Sequence, residues 1–287
     1  MADTLQASPL GTTVTTVPPA PGRRPRRRLR RLLVGAGWGL GSWTVVIALW
    51  ELAAARGWVN PALFPPPSRF VPYLFNGGSN IGIGPSSVTI WQSIGSTFGR
   101  VAVGLLLGIL VATLIGIGVS ILNPVRRAVM PVVRVVAPVA PIAWIPLGLS
   151  LFGIGNGTAV FIVFMGVVFV LSVATVASID AVDVELIKTA RSLGARHVHL
   201  WTRVILPAAA PQVFTMVRLN FFGAWMAVLA AEMVGLRSGL GAAIIIGREQ
   251  FNAELILIGV VTIGVCGFLA DSLLLLVQRR MLWWGKA

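Results

Sequence analysis

Apolar residues in this chain come in long runs, with the polar positions gathered between them. Residues 32–55 hold no Lys or Arg, 101–122 is a second apolar run, and 135–179 is a 45-residue stretch without a charged side chain. About 20 apolar residues cross the hydrocarbon core as a helix, so membrane spans are predicted at 32–55 and 101–122. The charge-free stretch is too long for one helix. The turn signal Leu151-Phe152-Gly153-Ile154-Gly155-Asn156-Gly157 divides it into a third span near 128–151 and a fourth near 157–179. A fifth is expected over 208–234 and a sixth over 255–277. The predicted fold class is all-α, a polytopic membrane protein with about six transmembrane helices.

The breaks between runs carry their own information. Residues 56–86 are rich in Pro and Gly and read as an external loop, with a short interfacial piece near 64–75. Residues 86–99 are uncharged but often polar, which predicts a helix lying at or entering the membrane interface. The third span contains Pro131, Pro138, Pro141 and Pro146. Lipid tolerates so many gaps in a hydrogen-bond ladder only where the backbone is buried in protein or lines a cavity. This span is therefore placed at a pathway or a subunit contact, and Pro138, Pro141 and the adjacent Trp144 are candidate solute-pathway residues.

Composition and charge sharpen this picture. Of 287 residues, 56% are hydrophobic and only 11% are charged, against about 25% charged in a soluble domain. Mean hydropathy is +0.87. These values exclude a soluble globular enzyme and a disordered chain. The 23 basic and 9 acidic residues give a net charge of +14. Seven of the bases, Arg23, Arg24, Arg26, Arg27, Arg28, Arg30 and Arg31, form one cluster against the first span. Residues 1–31 are thus predicted to be a disordered basic tail, and 32–287 the membrane domain. The positive-inside rule puts that tail in the cytoplasm. Arg126, Arg127, the bases of 180–203, and Arg279, Arg280 and Lys286 fall on the same side, so both termini are cytoplasmic. Arg56, Arg69, Arg237 and Arg248 fall outside. The basic block also suits anionic lipid headgroups. Zinc spacing and aromatic interleaving are missing, so nucleic acid is not an expected partner. The apolar stretch 32–55 is too long for a signal peptide despite Ala53-Ala54-Ala55. Cys266 is the single cysteine, so an internal disulfide is excluded.

Residues 180–203 form the one long polar segment between spans. Asp180 is the predicted N-cap, with Asp183 and Glu185 in the first turns, where acids favour the positive end of a helix. Leu186, Ala190 and Leu193 recur at spacings of four and three and make an apolar stripe. Gly194 breaks the helix. A second helix is predicted over 196–204, carrying His197, His199 and Trp201, with Leu206-Pro207 ending it before the fifth span. An apolar stripe with a charged rim is what a docking element for a soluble partner requires. The same pattern also fits a loop packed on its own bundle.

Charges within spans are costly and default to functional candidates. Arg218 either draws an anion into the pathway or bonds backbone carbonyls or an acid elsewhere. Glu232 lies about 21 Å further along the same helix at 1.5 Å per residue, where it either meets solute or makes a packing or gate hydrogen bond. Glu51 and Asp271 read as structural. His197 and His199 point to different helix faces and do not make a metal site. No nucleophile–base pair is present, so the chain is not read as an enzyme.

Lys188-Thr189-Ala190, three residues, Gly194, nine residues and Val204-Ile205-Leu206-Pro207 have the spacing of a known cytoplasmic motif. It is the Glu-Ala-Ala…Gly…Ile-x-Leu-Pro motif of the permease subunits of ATP-binding-cassette importers, which this chain resembles. Lys188 and Thr189 depart from the usual Glu and Ala, and Glu185 stands one turn earlier. Ala190-Arg191-Ser192-Leu193-Gly194-Ala195, residues 203–211, residues 134–147, Ala230-Ala231-Glu232-Met233, Gly239-Leu240-Gly241 and residues 279–283 are similar to the nitrate, taurine and alkanesulfonate branch. The resemblance covers roughly 40–284.

It implies the type I importer permease fold in a bacterial plasma (inner) membrane. It also implies two such permeases, two ATP-binding-cassette ATPase subunits and an extracytoplasmic solute-binding protein. The coupling hairpin would include Glu185, Lys188, Ala190, Leu193, Gly194, Ala195, His197, Trp201, Leu206 and Pro207. ATP and Mg would sit on the partner, since this chain has no Gly-x-x-x-x-Gly-Lys-Ser/Thr loop. The implied solute is an aliphatic sulfonate or taurine, with nitrate next, then bicarbonate or a heterocyclic vitamin precursor. A carrier or channel acting alone is the alternative. It would show repeated halves with broken helices and would not need the hairpin. A membrane enzyme would need an acid, His or metal cluster that the sequence lacks.

Overall fold

The computed structural model describes residues 25–75, 80–81, 88–236 and 238–282. The predicted disorder of 12–21, and Arg23, Arg24, Arg237 and Lys286, lie outside the described residues. Met1–Leu52 form one compact unit and Ala53–Ala287 a second. Helix α1 (Pro25–Ala55), of which Ala53–Ala55 belong to the second unit, starts inside the arginine cluster, ahead of the predicted boundary at 32. Pro is favoured at a helix start, and Arg and Leu are good helix formers.

The described residues of the second unit are mostly helical. After α2 (Pro67–Phe75), inside the predicted interfacial piece, come two-residue strands β1 (Asn80–Ile81) and β2 (Val88–Thr89), paired antiparallel. Helix α3 (Ile90–Ile121) then runs unbroken for 32 residues, so the predicted interfacial helix and second span are one element. A capping box starts it: the Thr89 hydroxyl accepts from the Gln92 backbone and the Gln92 side chain accepts from the Thr89 N–H. Nothing at Gly99-Arg100 stops the helix, because the arginine finds partners inside the bundle.

Helix α4 (Asn123–Val136), a 3₁₀ turn at Pro141–Trp144 and α5 (Ile145–Phe152) replace the predicted third span. The two halves meet at 98°, a sharp bend in the segment where the prolines predicted repeated gaps in the hydrogen-bond ladder of one span. Pro138 lies in the break, Pro141 opens the 3₁₀ turn and Pro146 falls in the first turn of α5, where a missing N–H costs little. Helix α6 (Asn156–Asp180) is the buried centre of the bundle. Helices α7 (Val184–Ser192) and α8 (His197–Leu200) follow, then a π-helical turn (Trp201–Ile205) and α9 (Leu206–Met233). Leu206-Pro207 therefore does not end the hairpin helix as predicted. The Leu206 N–H donates to the Trp201 carbonyl across the wider turn, which accommodates the Pro207 ring, and the chain runs straight on into the span. Helix α10 (Leu240–Glu249) occupies what was predicted to be a plain external loop, and α11 (Ala253–Met281) is the last span. Among the described residues, five helices are long and apolar enough to cross a membrane, or six if the bent pair is one span.

Close packing of α3 on α6 sets the frame. Gly104, Gly108, Ala112 and Gly116 recur every four residues and are all buried. A Cβ on Gly104 would lie 2.6 Å from Val163 Cβ, and one on Gly116 would lie 2.5 Å from Thr175 Cγ2. Small residues let two membrane helices approach closely where there is no hydrophobic drive to hold them.

Candidate functional site

The segment 183–207 is a built hairpin. Asp183, not Asp180, caps α7, its carboxylate accepting from the Glu185 N–H at 2.8 Å. Asp180 is instead the last residue of α6, and its carboxylate accepts from Arg126 at 3.2 and 2.5 Å. At the other end of α7, the Gly194 N–H donates to Arg191 O at 2.9 Å and the Ala195 N–H to Ala190 O at 3.0 Å. This double closure needs a left-handed residue, and Gly194 has φ +81°. An L side chain there costs about 1–2 kcal/mol.

The hairpin's two faces differ from the predicted stripe. Ile187 and Ala190 turn inward with Trp201 and Val204, onto a core of Ile179, Val182, Leu200, Ile205 and Ala209. Leu186 and Leu193 turn outward. Leu193 is 84% exposed and Val198 is 68% exposed, with Glu185, Lys188, His197 and His199 exposed around them. The His197 ring lies 6.4 Å from that of Trp201. Leu206 and Pro207 are half-buried at the foot of the hairpin. The hairpin thus packs on its own bundle by one face and presents apolar side chains inside a charged rim on the other.

At the opposite end of the bundle is a cluster that sequence reasoning missed. Arg100 of α3 donates to Glu232 Oε1 at 2.7 Å, Asn156 Oδ1 at 2.8 Å, and Ser238 O and Oγ at 2.7 Å each. Glu232 also accepts from Thr97 Oγ1 at 2.8 and 3.0 Å and from the Gly241 N–H at 3.0 Å. The Leu240 N–H donates to Thr97 Oγ1 at 3.0 Å. Glu232 and Thr97 together therefore cap the start of α10. Gly239, at φ +116°, leaves no room for a Cβ against the Glu232 carboxylate. Both charges are buried, with Glu232 at 0% and Arg100 at 5%. Glu232, predicted on the solute pathway or in a packing bond, sits in this closed network. The available signal was a lone Arg and a lone Glu, each in an otherwise apolar helix, since such charges pair.

Arg218 has a different setting. Midway along α9 it donates from Nε to Asp271 Oδ1 at 2.5 Å and from Nη2 to Oδ2 at 2.6 Å, across to α11. The side chains remain 33% and 13% exposed. Pro138 is exposed in the bend and Trp144 half-buried. The Pro141 ring sits where a Cβ on Gly166 of α6 would come within 2.9 Å of it. The predicted pathway residues thus fall in three places: the bend, the α9–α11 seam and the buried cluster.

A family model, the binding-protein-dependent transport system inner membrane component, matches residues 104–283. The taurine transport system permease protein TauC of Escherichia coli (strain K12) is 26% identical over 245 residues, 85% of this chain and 88% of that protein. A probable ABC transporter permease of Brucella abortus (strain 2308) is 32% identical over 261 residues, 88% of this chain and 98% of that protein. Among solved structures, the MetNI methionine ABC transporter in inward-facing conformations matches with a TM-score of 0.56 at 18% identity, covering 69% of this chain and 98% of that one. The shared fold is that of the type I importer permeases. The chain belongs to the family of binding-protein-dependent transport system inner membrane components and is a multi-pass permease subunit of an ABC importer.

Proposed function

We propose that two copies of this chain form the solute pathway of an importer for an aliphatic sulfonate or taurine, in a bacterial plasma membrane with both termini cytoplasmic. Two ATPase subunits bind beneath it and hold the ATP and Mg; the chain itself hydrolyses nothing. The hairpin 183–207 carries this reading. Its outer face offers Leu193 and Val198 to an ATPase groove, and its inner face packs onto apolar residues of α6 and α9, so a push on the hairpin moves the span. Binding-protein docking on the extracytoplasmic side of the permease delivers the solute. The taurine permease among the relatives supports the choice of solute.

Co-expression with a candidate ATPase and binding protein, followed by an ATP-driven uptake panel in liposomes, tests this. Taurine or an alkanesulfonate is expected to accumulate ahead of nitrate and bicarbonate. Preferential uptake of nitrate would overturn the solute assignment.

A further inference from the structure

The two ion pairs inside the bundle differ in how much of their arginine is committed. Arg100 spends all three nitrogens on partners. Arg218 uses Nε and Nη2 on Asp271, and among the described residues nothing accepts from its Nη1. A third of its side chain is open. The polar character continues along the same seam, where Gln278 Nε2 donates to Thr215 Oγ1 at 3.0 Å. Thr215 lies one turn from Arg218 on α9, and Gln278 two turns from Asp271 on α11, so the four residues share one face of the seam. A half-open charged pair in mid-span is expensive against lipid, and such residues face a bundle interior or a water-filled passage.

We propose that the open edge of the Arg218–Asp271 pair is a solute contact in the translocation pathway, formed for a small zwitterion carrying a sulfonate-type anion and an ammonium group. The inference rests on the permease reading above and names the chemistry of its pathway. The pair has no net charge. A simple anion drawn to Arg218 Nη1 meets the repulsion of Asp271, and a simple cation meets that of Arg218. A solute with both charges a few bonds apart satisfies both at once, the kind of matching that yields selectivity more than tight binding.

The test uses the permease–ATPase complex in nanodiscs without the binding protein, probed with taurine, ethanesulfonate and ethylammonium at millimolar levels. The wild type is expected to bind taurine about tenfold better than either singly charged probe, as one well-placed charge contact allows. Asp271→Asn should collapse the taurine-to-ethanesulfonate ratio toward one, and Arg218→Gln should weaken both sulfonates. Asp271→Glu, which keeps the charge, should keep the preference.

A structural pair would lower stability in these variants but leave the ratio unmoved, and an unchanged ratio in Asp271→Asn overturns the proposal. If that variant fails to assemble, a Thr215→Cys, Cys266→Ala double variant decides. Its thiol should react with a water-soluble sulfonate thiosulfonate reagent and be protected by taurine. A thiol sealed against a second copy, and so unreactive, contradicts the site. Association with the ATPase and ATP-driven uptake by the wild type are measured separately. If they hold while the ratio does not move, only this inference falls.

Discussion

The Arg100–Glu232 cluster and the Arg218–Asp271 pair place the same chemistry in the same bundle with opposite consequences. The first is sealed, each charge satisfied by several bonds, and it joins the starts of α3, α6 and α10 to the end of α9. The second joins only α9 and α11 and leaves an edge free. Burial and bond count, more than depth in the membrane, separate a charge that builds the frame from one available to a solute. A sealed pair tolerates the loss of neither partner, because the remaining charge is stranded in a low-dielectric interior.

The largest effect should come from breaking the sealed cluster. Glu232→Ala or Arg100→Ala is expected to cost about 3–5 kcal/mol by stranding a buried charge, read as a lowered thermal midpoint in detergent. The double variant Arg100→Met, Glu232→Leu should recover much of that loss. Neutralising Asp271 should move the midpoint far less than Glu232→Ala, and an equal drop would erase the contrast between the two pairs. Next comes the small-residue seam: Gly104→Leu should cost about 1–3 kcal/mol through overpacking against Val163, seen in the same melt. Gly194→Val should cost about 1–2 kcal/mol of backbone strain. That loss stays local and is visible as faster hydrogen exchange over 183–195 with α6 unaffected. Arg126→Ala, which removes a half-exposed pair with Asp180, should change stability by only about 0.5 kcal/mol.

Hydrophobic run length made the spans legible, and the spacing from Lys188 to Pro207 made the hairpin legible. Both signals are local. What escaped depends on partners far apart in sequence. Arg100 fell on the seam between two predicted segments, and its acceptors come from Asn156, Glu232 and Ser238, which no periodicity links. Spacing alone put Leu186, Ala190 and Leu193 on one apolar stripe of α7. Tertiary contact with Ile179 and Ile205 instead selected Ile187 and Ala190. The 98° bend after Val136 was visible as a run of prolines, but its angle depends on how Pro141 seats against α6 at Gly166. Helix α10 is a short apolar segment, held in place by a cap from Glu232 and Thr97 that only the fold brings together.

The central claim is that the hairpin passes the ATPase's motion to the pathway. It is tested most directly by ATP-driven taurine uptake in liposomes holding the full complex, comparing wild type with Gly194→Pro. Pro cannot adopt the positive φ at this position or supply the N–H that closes α7. Wild type should accumulate solute only when the ATPase is present, and Gly194→Pro should remain in the membrane yet lose uptake. Full uptake by the variant, or uptake by wild type without any ATPase, would contradict the account.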